Sequence, residues 1–316
     1  MGKAGRSIAS ELETRGFSVV PCFLTKDDVS ADLLAFLADA PKFSDGVING
    51  IPEAEMAGIR SKVEELVPEL AGLLGLSIRN DRFKYCSIRI KEAHGPAVVR
   101  TPFDVHSDPK IAPGGVLNWH LDHFSYYLYE DHWNWLICYM PVIKPSPDLA
   151  NLAIVPSDVL EACDPELARR VRGRGAMRFR CVEPDTVDWF AMRFPGQPIA
   201  IGDWFAIDDY DDATMGWKID IDLERHKVVP RLEVHDLLIM RADVIHRTND
   251  AGSDRISIRC DGMPLCAREV DTLSGLLKLT ARLPFVGKKR RYNLSNWVRG
   301  EWRQHLRTIA GKCVLP

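Results

Sequence analysis

The chain has 316 residues, 46% of them hydrophobic and 27% charged, with a net charge of −3. That balance excludes a disordered tail, a collagen and a coiled coil, and it excludes nucleic-acid binding driven by bulk charge. The longest apolar run, residues 135–143, falls well short of the ~20 residues of a membrane span.

The first ten residues carry no apolar stretch of the kind that opens a secretory signal. The eight cysteines include no CxxC pair, and Cys138 lies inside an apolar run. They read as small hydrophobes in a reduced, cytoplasmic protein, not as a zinc site or a disulfide frame.

In chain order, residues 16–21 predict a short strand. Thr25-Lys26-Asp27-Asp28 resembles a capping box, and Val29, Leu33, Phe36 and Leu37 follow at helical spacing. A second helix is predicted after Pro52, with Met56, Ile59, Val63 and Leu66 on one face. From about Arg82 the pattern turns to strands: 83–90, 116–124, 135–142, 150–155, 237–240 and 256–258. They follow one another without helices of crossover length, which predicts an antiparallel jelly roll rather than a doubly wound parallel sheet. Residues 157–171 read as a helical crossover. Residues 174–234 have weak periodicity and predict a long inserted lid on one rim. Residues 267–283 and 295–307 read as basic helices. The expected organisation is one α+β domain over 1–316: an N-terminal helical region (1–81), a jelly-roll core (82–262) with the insertion at about 174–234, and C-terminal helices (263–316).

The chemically loaded segment is Leu117-Asn118-Trp119-His120-Leu121-Asp122-His123. In a strand, residues i and i+2 share a face, so His120 and Asp122 aim at one point with Asn118 beside them. An imidazole and a carboxylate converging in this way are two-thirds of a facial triad, which holds Fe(II) with open positions. His246, after the apolar strand 237–240, is the candidate third ligand. Nine residues later Arg255 and Ser257 alternate on a strand, and a guanidinium near iron suits a dicarboxylate cosubstrate.

These residues resemble the iron(II)/2-oxoglutarate-dependent oxygenases, within them the phytanoyl-CoA dioxygenase-like group. Gly16-Phe17-Ser18-Val19-Val20-Pro21 looks like that group's opening strand, and Trp119-His120-Leu121-Asp122 its W-H-x-D element. Asn151-Leu152-Ala153-Ile154-Val155-Pro156-Ser157 is similar to a G-x-L-x-x-x-P-G-S-H stretch. His235-Asp236-Leu237-Leu238-Ile239 stands for G-D-L-L-x, and His246-Arg247-Thr248 for H-x-S/T. Two departures are His235 in place of Gly, and no Gly-Ser-His after Pro156.

The resemblance implies a double-stranded β-helix (jelly-roll, cupin-like) core and Fe(II) held by His120, Asp122 and His246. It implies 2-oxoglutarate held by Arg255 with help from Thr248, with Tyr139 packed on it and Asn118 and Ser257 nearby. It further implies O2 as co-reactant, a small-molecule substrate and a role in biosynthesis. A carboxylate at Asp122, where halogenating members have a small residue, implies hydroxylation, desaturation, ring closure or epimerisation instead of halogenation.

Other readings are weaker on the residues. His106-Ser107-Asp108 is a second H-x-D, but it lies between Pro102 and Pro109 with no pleat to aim it. His120 and Asp122 could form a plain strand-face hydrogen bond; a non-catalytic jelly-roll protein with a structural metal is a separate rival, and it would have no use for Arg255. Lys288-Lys289-Arg290-Arg291 with Trp297 and Trp302 is the one feature that would support a nucleic-acid demethylase; a solvated helix face explains it as well. For the substrate, residues 208–224 hold seven acids against one base. Asp208, Asp209 and Asp211, with Trp204 and Tyr210 among them, suit an amine, such as an aminoglycoside-like sugar or a basic amino-acid derivative. Arg259 reads as a further substrate contact.

Overall fold

The computed structural model describes residues 3–39, 47–48, 51–52, 54–75, 78–90, 119–122, 135–149, 151–175, 177–208, 216–249 and 255–264. The N-terminal part contains helix α1 (Lys3–Thr14), strand β1 (Phe17–Val20), helix α2 (Ala31–Asp39), strand β2 (Val47–Ile48), helix α3 (Ala57–Leu74) and strand β3 (Ile78–Ile90). Next come β4 (His120–Leu121), β5 (Leu136–Ile143), β6 (Leu152–Ile154), helices α4 (Ser157–Cys163) and α5 (Pro165–Val171), and β7 (Met177–Cys181). The described part ends with α6 (Val187–Arg193), β8 (Trp204–Asp208), β9 (Gly216–Ile219), α7 (Leu223–His226), β10 (Leu237–Arg241), β11 (His246–Thr248) and β12 (Arg255–Pro264). Among the described residues, no helix is long and apolar enough to cross a membrane.

The strands form two six-stranded antiparallel sheets, ordered β1-β10-β5-β12-β3-β2 and β6-β11-β4-β7-β8-β9. From β3 to β6, and again from β10 to β12, the chain changes sheet at every step, which is jelly-roll winding. The first sheet is covered on both faces. Leu136, Cys138, Met140 and Val142 of β5, with Leu237 and Ile239 of β10, face the α1–α3 layer. The intervening Ile137, Tyr139, Leu238 and Met240 face inward, in a cluster shared with Leu152 and Ile154 of the second sheet. A strand buried on both faces reads as an unbroken apolar run, which is why 135–142 and 237–240 are plain in the sequence. Helix α3 contributes Ile59, Val63, Val67 and Leu70 at helical spacing, all with no exposed surface.

The predicted lid region contains regular strands. Over its described residues, 174–234 continues the second sheet outward from β4 as β7, β8 and β9. The alternation is there but brief: Met177, Phe179, Trp204 and Ala206 pack outward with Trp119 and Leu121. Phe205 and Ile207 pack on the other face against Phe190 of α6 and Phe194 just past its end. The crossover 157–171 is two helices, because Asp164 ends one and its side chain accepts the Leu167 N–H at 2.8 Å to cap the next. The C-terminal helices expected beyond 264, and the rival His106-Ser107-Asp108, lie outside the described residues.

Candidate metal centre

Strand β11 lies between β6 and β4, and His246 stands opposite both Ile154 and His120. Directly opposed residues of antiparallel strands share a face, so the two imidazoles project together. Their ring centroids are 4.4 Å apart with planes at 49°. Asp122, just past the end of β4, reaches both rings: His120 Nε2 is 3.0 Å from Oδ1 and His246 Nε2 is 3.5 Å from Oδ2. One ligand atom from each of the three lies within 4.8 Å of the others. His246 is 4% exposed and Asp122 8%, so water competes weakly for these atoms.

The donor chemistry fits a cation. His246 Nδ1 is 2.9 Å from the Val244 carbonyl, which only accepts, so Nδ1 carries the proton. In the neutral ring Nε2 then presents a lone pair to a carboxylate oxygen. Two acceptors face each other, and a metal ion between them satisfies both.

The turn that delivers His246 is fastened from behind. Arg241 Nε donates to Asp243 Oδ1 at 2.9 Å, with both side chains almost fully buried. Its other nitrogens donate to the Leu12 and Glu13 carbonyls at the end of α1 and to Ser157 Oγ. Asp243 also accepts the Gly173 N–H at 2.8 Å. Charges this deep persist when every donor and acceptor is matched.

A second fastening sits on the outer face. Glu224 of α7 accepts from Trp119 Nε1 at 2.7 Å, from Arg247 Nε and Nη2 at 3.0 Å each, and from Lys227 at 2.7 Å. The Arg247 guanidinium lies over the Trp119 ring, 5.1 Å from its centroid. Partial burial opposes ionisation of Glu224, but the hydrogen bonds from Arg247, Lys227 and Trp119 outweigh it and hold the carboxyl at about 2. Trp119 precedes His120 and Arg247 follows His246, so one carboxylate ties the chain neighbours of both histidines. Sequence reasoning counted Glu224 among the acids of a substrate rim and missed this role. Asp222 is likewise occupied, capping α7 by accepting the Glu224 and Arg225 N–H groups.

The remaining candidates divide. Tyr139 is 3% exposed on the inner face of β5, and its hydroxyl oxygen accepts from Ser257 Oγ at 2.6 Å. Thr248 lies two residues beyond His246 and is 8% exposed. Arg255 opens β12 opposite Ile90, and Arg259 stands opposite Tyr139 on one side and Cys86 on the other. Asp208 ends β8 opposite Met177. Asn118, Asp209, Tyr210 and Asp211 lie outside the described residues. Trp204 is a correction: it packs with Met177 and Phe179 on the face away from His120, so it is core and not a substrate contact. Two residues went unnoticed, Arg178 and Arg180 of β7; the alternation Met177-Arg178-Phe179-Arg180 would have marked a strand with one basic face.

No protein family matches the chain, and no curated protein matches it. Solved structures overlap it loosely. The non-heme alpha ketoglutarate dependent epimerase SnoN from nogalamycin biosynthesis has a TM-score of 0.42 and 14% identity, over 83% of each chain. EvdO2 from Micromonospora carbonacea var. aurantiaca has 0.42 and 13%, over 84% of this chain and 92% of that one. A Pseudomonas putida prolyl-4-hydroxylase has 0.45 and 11%, over 82% and 98%. Similarity this shallow carries no argument about chemistry, which rests on the three converging side chains.

Proposed function

We propose that the chain is a non-haem Fe(II)- and 2-oxoglutarate-dependent oxygenase that oxidises an unactivated C–H bond of a small polar metabolite. The observation that carries this reading is the convergence of His120, Asp122 and His246 with two acceptor atoms face to face. Two neutral imidazoles and one carboxylate leave a divalent ion net positive, with positions open for exogenous ligands. Bound iron, with 2-oxoglutarate as the electron donor to O2, would supply the oxidant.

The chain's own groups do the rest. Arg255 is the proposed partner of the distal 2-oxoglutarate carboxylate, with Thr248, Asn118 and the Ser257–Tyr139 pair as polar neighbours. The apolar cluster of Ile137, Leu152, Ile154 and Leu238 behind Tyr139 keeps water from this side. For the substrate, Asp208, Asp209, Asp211 and Tyr210 support an amine-bearing molecule, an aminoglycoside-like sugar or a basic amino-acid derivative, with Arg259 as a further contact. Trp204, Asp222 and Glu224 no longer add to that support.

The test is succinate release on adding Fe(II), 2-oxoglutarate and candidate amines. A non-catalytic metal-binding jelly roll would bind the metal and release none. Arg255→Leu should raise the 2-oxoglutarate requirement steeply, by the ~2–5 kcal/mol lost when one partner of a buried charged pair is removed. If Arg259→Leu does this instead, the residue assignment on β12 is wrong.

A further inference from the structure

The strand beside the candidate metal ligands carries a basic strip. In β7, Arg178 stands directly opposite His120 on one side and opposite Ile207 on the other. Across the second sheet this gives one row: Ile154, His246, His120, Arg178, Ile207. Two residues on, Arg180 stands opposite Phe205. The facing is fixed by the neighbours: Met177 and Phe179 pack outward beside Trp119 and Leu121. Arg178 and Arg180 therefore project on the face that carries His120 and His246. Arg178 is half-buried, and Arg180 is 7% exposed.

Beyond the strip the face is closed. Phe190 of α6 and Phe194 just past its end pack on Phe205 and Ile207, with ring centroids of Phe194 and Phe205 4.7 Å apart. The wall is tight: a Cβ at Gly216 would come within 2.6 Å of the Phe194 ring. The order along the sheet is metal ligands, then two guanidiniums, then an aromatic wall.

Resting on the proposed function, the geometry points to an oxyanion subsite: Arg178 and Arg180 hold a carboxylate or phosphate group of the substrate beside the metal. A guanidinium presents paired N–H donors that match such a group, and in a low-dielectric wall the pairing is strong. Neighbouring strands lie about 5 Å apart, so an anion on this strip sits roughly 5–10 Å from the ion. The attacked carbon then lies a few bonds from the anionic group. This divides the two amine-bearing classes. A basic amino-acid derivative offers a carboxylate to the arginines, whereas an aminoglycoside-like sugar does not.

The experiment uses full-length protein loaded with Ni(II) and saturating 2-oxoglutarate, which fills the cosubstrate position. Thermal stability is titrated with inorganic phosphate, acetate and putrescine at constant ionic strength. Phosphate or acetate should raise Tm saturably, as a ligand of the folded state does, and the stronger of the two names the group. Arg178→Gln should weaken that binding by about tenfold or more, with Ni(II) and 2-oxoglutarate binding unchanged and Arg178→Lys keeping part of the effect. Arg180→Gln should act alike; because Arg180 is buried, half-buried Arg178 carries the test if the Arg180 variant does not fold. A shift with putrescine alone, or an oxyanion shift that Arg178→Gln leaves intact, overturns the subsite. Loss of 2-oxoglutarate binding in Arg178→Gln also overturns it, by assigning the strip to the cosubstrate. Failure of the wild-type chain to bind Ni(II) strikes the proposed function instead.

Discussion

The two sheets differ in what their residues do. In the first, β5 and β10 are apolar on both faces, and their side chains pack against α1–α3 outside and the opposite sheet inside. In the second, β4, β7 and β11 are two, five and three residues long and place His120, Arg178, Arg180 and His246 on the inner face. The metal ligands thus belong to one wall of the jelly roll, while the other is mostly core and carries the proposed cosubstrate contacts on β5 and β12. A rigid wall can support buried charges on its partner because the partner's turns are fastened by complete networks such as Arg241–Asp243.

The largest expected effect separates the walls outright. His246→Ala should abolish metal retention and 2-oxoglutarate-dependent turnover while leaving the Tm of the metal-free protein nearly unchanged. Metal analysis after desalting and succinate assay read it; near-normal 2-oxoglutarate consumption would remove His246 from the ligand set. The converse is Ile239→Ala, which empties a site with no exposed surface in the first sheet. It should lower stability by about 2–5 kcal/mol in denaturant titration and leave metal affinity unchanged at temperatures where the fold persists. A loss of metal affinity there would mean that the walls are not separable.

Legibility in the sequence follows the same division. The runs 135–142 and 237–240 stand out because both faces are apolar. Strand β4 falls inside the predicted strand 116–124, and its ligands are legible because the pleat puts His120 and a carboxylate two residues on at one point. Strands β7–β9 were hidden because four or five residues of alternation vanish inside a 61-residue stretch read as a whole. Helix α1 was not singled out, although Ile8, Ala9 and Leu12 mark its buried stripe. Glu224 was beyond reach, because its role depends on Trp119 and Arg247, over a hundred residues away and twenty-three away.

An intermediate effect sharpens how the second sheet is held. Glu224→Gln keeps the shape but removes the charge that gathers Trp119, Arg247 and Lys227. Metal affinity should fall roughly 10–100-fold, the usual consequence of losing a partner behind the ligands. Co(II) titration followed by its visible bands reads this without turnover, and Glu224→Asp should recover part of it. The pH dependence has a definite sign. The folded carboxyl lies at about 2 against an ordinary 4.5, so its contribution is full above about 4.5 and fades as pH falls toward 2. Asp28 and Glu166 are also held at about 2, so the informative quantity is wild type minus variant. A difference that stays flat across that window would mean that Glu224 is not engaged as drawn.

The smallest expected effect lies at the end of the first sheet. His235 has φ 77° and Cys22 φ 50°, and both belong to the loops where β1 and β10 meet. Asp236 joins them, accepting the Cys22 N–H and the Glu233 N–H at 2.8 Å each. The positive φ at His235 is a conformation that favours Gly, since a Cβ there crowds the backbone by about 1–2 kcal/mol. Glycine would relieve the crowding and return part of the gain as unfolded-chain entropy. The backbone bonds stay, because the His235 N–H donates to Pro141 O and its carbonyl accepts from Leu24 N, both at 2.9 Å, and neither needs a side chain. His235→Gly should therefore raise Tm by about 1–2 °C with metal binding untouched. His235→Ala is the control: it removes the imidazole but keeps the Cβ, so it should bring no gain. If alanine stabilises as much as glycine, the imidazole and not the backbone is the source of the strain.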